Sequence, residues 1–114
     1  MPTTAQNVAV AGAIDAIRNA GILLTQQIRV ATDTLIAIRL TDEYNNLDLC
    51  LSTLLHAQNA SDDATFAAAT LSIRSIADGL TADEATVKAI IKDVSVAGDV
   101  VKYIGQALLF IGKL

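Results

Sequence analysis

VAGAIDAIRNAGILLTQQIRVATDTLIAIRL, residues 10–40, decides the fold class. Its apolar repeat runs Val10, Ile14, Ile17, Gly21, Leu24, Ile28, Ala31, Leu35, Ile38. The steps alternate four and three, the spacing that lines up one stripe along an α-helix. A strand reading exists locally, because Ile28-Arg29-Val30 and Ile36-Ala37-Ile38 alternate and are β-branched. It fails because the sevenfold phase spans the whole segment and no turn residues bound these stretches. The phase also passes Gly21 without a slip. That favours one helix over residues 4–40, roughly 55 Å long at 1.5 Å per residue, over two helices hinged at the glycine.

The C-terminal third repeats the pattern with Val87, Ile90, Val94, Ala97, Val101, Ile104, Leu108 and Ile111. Thr81-Ala82-Asp83-Glu84 reads as a capping box opening that helix, and Gly79 suits the C-cap of the helix before it. In the middle, Leu47, Leu51 and Leu54 keep one phase, and Phe66, Ala69, Ile73, Ile76 and Leu80 keep another. The slip falls at residues 59–63, Asn-Ala-Ser-Asp-Asp, which also resembles an N-cap with acidic residues in the first turn. The expected architecture is therefore all-α, an antiparallel up-and-down bundle in a single domain, 1–114. Three long helices are expected, at 4–40, 42–78 with a kink or break near 59–63, and 81–112. A complete break makes four. The first turn is expected in the polar residues 41–46.

Composition agrees. Of 114 residues, 53% are hydrophobic and 18% charged, with six glycines and one proline, too little punctuation for an all-β chain. The net charge of −4 excludes a nucleic-acid binder of the usual basic kind. Met1-Pro2-Thr3-Thr4 lacks the basic and apolar regions of a signal peptide, and no uninterrupted run of about 18 apolar residues marks a transmembrane helix. A cytoplasmic location is the default expectation, with leaderless secretion left open. Residues 108–114 end without a polar cap, as though more helix followed.

The outer faces are unusually apolar. Beside the last seam, Ala89, Val96, Tyr103 and Phe110 form a second line, and Ala9, Ala16, Leu23, Val30 and Ala37 do the same on the first helix. These arcs exceed the ~100° that a surface helix needs. Either each helix touches two neighbours, or the line meets another subunit. Val96, Tyr103, Phe110, Leu23 and Val30 are the candidate interface. Gly98, Gly105 and Gly112, seven apart, are candidates for close helix packing, since each costs on the order of 1 kcal/mol against alanine and small residues let helix axes approach.

No chemistry assembles. A carboxylate-bridged metal pair needs several Glu and a Glu-x-x-His, whereas the chain has only Glu43 and Glu84, and Thr53 stands three before His56. Cys50 and His56, six apart, fall on different helix faces, so neither a Cys–His metal site nor a nucleophile–base pair is expected. Cys50 reads as a small buried hydrophobe. No catalytic residues, metal or cofactor are expected. The leading expectation is a non-enzymatic bundle acting by protein association, as a homo-oligomer or with a partner helix. A lipid-interacting bundle using the apolar C-terminal helix and a small-molecule pocket between helices are the alternatives.

Overall fold

A side chain that accepts from the first amides caps each helix of the computed structural model, which describes residues 2–114. Thr3 and Gln6 form a reciprocal capping box, Thr3 Oγ1 accepting from the Gln6 amide at 3.1 Å and Gln6 Oε1 from the Thr3 amide at 2.9 Å. They open α1, Thr4–Val30. Asp33 accepts from the Leu35 and Ile36 amides and opens α2, Thr34–Gln58. Asp62 accepts from the Thr65 amide at 2.7 Å and opens α3, Asp63–Ile90. Asp93 accepts from the Ser95 and Val96 amides and opens α4, Val94–Ile111. An N-cap carboxylate satisfies amides that have no partner within the helix and meets the positive end of the helix dipole. Replacing Asp33 or Asp93 by alanine is expected to lower stability by about 1 kcal/mol each, read as a shifted urea midpoint with an unchanged slope.

The turns between helices are three or four residues long, which forces each helix back along its predecessor. α1 packs on α2 and α4, and α3 packs on α2 and α4, so the four rods form a closed square. The bundle measures 47 × 21 × 20 Å. The all-α up-and-down expectation stands, and the break near 59–63 is complete, giving four helices.

Two expected boundaries move. Residues 41–46, read as the first turn, lie inside α2, and the chain turns instead at Ala31-Thr32-Asp33. The phase only seemed to continue past that turn. Leu35 and Ile38, which carried it, are 72% and 53% exposed. Gly79, read as a helix end, and Thr81-Ala82-Asp83-Glu84, read as a capping box, lie inside α3. The last turn is Ile91-Lys92-Asp93, ahead of Val94, which is 84% exposed and not a seam residue.

The actual seams are regular. α2 buries Leu40, Glu43, Leu47, Cys50, Leu54 and Ala57 in alternating steps of three and four. α3 buries Phe66, Ala69, Ile73, Leu80, Asp83, Val87 and Ile90, with Ile76 half-buried between them. α4 buries Ala97, Val100, Ile104, Ala107 and Ile111. α1 buries Val10, Ile14, Ile17 and Leu24, with Ala9, Ala13, Ala16 and Ala20 beside them. Among the described residues three polar ones are buried: Thr70 of α3, whose hydroxyl donates to the Phe66 carbonyl at 2.9 Å, and two carboxyls, Glu43 in the α2 seam and Asp83 in the α3 seam, which are the least ordinary feature of the core.

Candidate functional site

Glu43 is 7% exposed and Asp83 8% exposed, facing each other between α2 and α3. Taking two carboxyls out of water is costly unless they share protons or hydrogen bonds. Asn46, one turn along α2 from Glu43, donates from Nδ2 to Asp83 Oδ1 at 3.2 Å. Glu43 Oε2 is buried without a hydrogen-bond partner, and Asp83 is the carboxyl that interacts with Glu43 across the seam. Burial, then the Asp83 carboxyl and the charge of Asp42, push the Glu43 carboxyl up to about 8, against a small opposing pull from Arg39. Near neutral pH the shift favours the protonated form of Glu43, the form that a buried carboxyl beside Asp83 can sustain.

Sequence reasoning missed this pair because it assigns polar residues to the surface. The available signal was the strict three-and-four spacing of Leu40, Glu43, Leu47 and Cys50, which puts Glu43 on the buried line. Cys50 follows on the same seam and is fully buried, as expected of a small hydrophobe. Burial, helped by the charge of Asp83, pushes its thiol up to about 11, so it is a poor nucleophile in the folded protein. His56 is exposed in the last turn of α2, where a cation suits the helix dipole. Among the described residues no group of three His, Cys, Asp or Glu side chains stands close enough to hold a metal ion.

The expected interface residues divide. Leu23, Val96, Tyr103 and Phe110 are half-buried against the core, while Val30 is 68% exposed. Ala9 and Ala16 of the same outer line on α1 are buried. Parts of the second apolar stripes thus pack within the chain, while Val30 and Ala89 of the same stripes remain exposed. Gly98 and Gly105 do not mediate close packing: a Cβ on either would meet no atom within 4 Å. Gly112 is the C-cap of α4, and a Cβ there would meet only backbone oxygens of Leu108 and Leu109, at 3.4 and 3.5 Å. The close approach occurs at Gly12, where a Cβ would lie 2.7 Å from the Phe110 ring. A glycine notch in α1 therefore seats an aromatic of α4.

Exposed large apolar side chains are spread over the bundle, at Val8, Ile22, Leu49, Leu71 and Leu109 among others, and four of them stand at the end carrying the α1–α2 and α3–α4 turns. Val30, Leu35, Ile38 and Val94 are 68, 72, 53 and 84% exposed there. The two turns lie side by side, since Val30, Ala31 and Asp33 border the same hollow as Ile90, Ile91 and Asp93. α1 and α4 also reach the length and apolarity that a membrane crossing requires, each at a mean hydropathy of 1.4, although no unbroken apolar run was evident in the sequence. Comparison with family models, with curated proteins and with solved structures finds no match.

Proposed function

We propose that this bundle is a non-enzymatic protein that works by association, and that its two-turn end is the surface it uses. The observation that supports this reading is the set of four large aliphatic side chains, Val30, Leu35, Ile38 and Val94, left in water at one end. Large aliphatic side chains left in water at one end of a molecule are the kind of feature that contact surfaces use. The end face is about 20 Å across, on the order of half the ~800 Å² per partner of a stable complex. Association through it is accordingly weak and concentration-dependent. Sedimentation velocity over a concentration series tests this with a second copy as the partner. The average mass is expected to rise with concentration, and the double variant Leu35→Glu/Val94→Glu to stay monomeric. A monomer at every soluble concentration overturns the self-association reading.

A membrane-surface reading has one observation in its favour, the apolarity of Val94–Ile111 together with Leu109, which is 72% exposed. Vesicle flotation with neutral and anionic lipids distinguishes it, because the association reading expects no co-flotation.

A further inference from the structure

A crevice of about 460 Å³ runs between α1 and α2, within the range that small-molecule sites occupy. Gly21 is one of its lining residues, and the lack of a side chain there widens it. On the α1 seam, Ile14, Ile17 and Leu24 fill the core, but the position between Ile17 and Leu24 is Gly21. A glycine inside a helix costs on the order of 1 kcal/mol against alanine. At Gly12 the missing side chain is replaced by the Phe110 ring, whereas at Gly21 a Cβ would meet only Tyr44 Cε2, at 3.6 Å. The Tyr44 ring borders the gap at ordinary contact distance without filling the position as Phe110 does at Gly12.

The lining of that space is polarised. Ile22 and Leu51 supply apolar surface over the buried Ile17 and Leu47, with Tyr44 beside Gly21. Arg18 and Arg29 also line it. They are eleven residues apart, three helical turns, so both stand on the same side of α1 with roughly 16 Å between their backbone positions at 1.5 Å per residue. Asp48 is the single acidic lining residue. A chain whose net charge is −4 thus presents two guanidinium groups against one carboxylate along an apolar slot.

We propose that this crevice binds an amphipathic carboxylate, a molecule with a slender apolar body and one anionic head. The body lies over Leu47, Leu51 and the Gly21 gap, where burial of alkyl surface drives binding. The head pairs with the guanidinium of Arg18 or Arg29, whose planar fork matches a carboxylate. The proposal does not rest on the association reading, although the Arg29 end of the crevice reaches the last turn of α1 beside Val30.

Titration calorimetry with dodecanoate, below its micelle concentration, tests the assignment, with dodecanol as the uncharged control. One dodecanoate is expected to bind per chain, saturably. Gly21→Leu fills the crevice and is expected to weaken binding by at least about tenfold, while raising the melting temperature through a better helix former and a filled gap. The double variant Arg18→Gln/Arg29→Gln is expected to lose dodecanoate affinity about tenfold and to bind dodecanol unchanged. Amide shift mapping on the wild-type chain gives a readout that needs no variant, with perturbations expected at residues 17–29 and 44–51. Absence of saturable binding, wild-type affinity in a folded Gly21→Leu chain, or perturbations spread over the whole bundle would each overturn the proposal.

Discussion

Raising the pH from 5 to 9 is expected to destabilise this bundle, lowering its urea midpoint, and Glu43→Gln to remove most of that loss. The sign follows from the direction of the shift. The Glu43 carboxyl titrates near 8 in the folded chain against an ordinary value of 4.5, so the folded state holds its proton more tightly than the unfolded state does. The resulting stability is complete below about 4.5 and is lost as the pH climbs through about 8. Above that value a second anion stands beside Asp83 in the α2–α3 seam, with Asp42 adding to the repulsion and Arg39 offsetting little of it. A glutamine can donate to Asp83 and cannot ionise. The variant should match the wild type at pH 5 and exceed it at pH 9. Urea denaturation at both values is the measurement; equal pH slopes in the two proteins would refute the raised Glu43 carboxyl.

Leu54→Ala is expected to cost about 2–5 kcal/mol, because it leaves a cavity among close-packed neighbours. Leu54 is fully buried on the α2 seam. Leu49→Ala, on the same helix but 58% exposed, is expected to stay within about 0.5 kcal/mol of the wild type. Leu51→Ala should fall between them, since Leu51 is half-buried and lines the crevice. Thermal unfolding of the three variants ranks them directly. A cost at Leu49 equal to that at Leu54 would mean that the outer face of α2 is covered in solution.

The helical class and the seams of α1 and α3 were legible, because Val10, Ile14, Ile17 and Leu24, and Phe66, Ala69, Ile73 and Leu80, obey the rule that apolar residues turn inward. The turns were not, for a reason that particular residues make plain. Exposed Leu35, Ile38 and Val94 extended apolar phases past the true helix ends, while buried Glu43 and Asp83 interrupted phases that in fact continue. Both departures come from side chains on the unexpected side of the helix surface. The stronger boundary signals were the aspartates. Asp33 and Asp93 each sit at the close of a three-residue turn and cap the next helix. The candidate interface was half legible for the same reason: its apolar stripes were real, but a four-helix square covers part of what a three-helix bundle would leave bare.

The square arrangement with antiparallel neighbours puts the start of α1 and the end of α4 side by side, at the pole opposite the two-turn end, where Phe110 sits on the Gly12 notch. Tension entering through the two ends of the described chain therefore acts at one pole of the molecule. It would lift α4 away from α1 one turn at a time instead of sliding long rods past one another. Under such a load the resistance at any moment is that of the few contacts at the opening fork, with the phenyl ring of Phe110 against Gly12 met early, just after the buried Ile111.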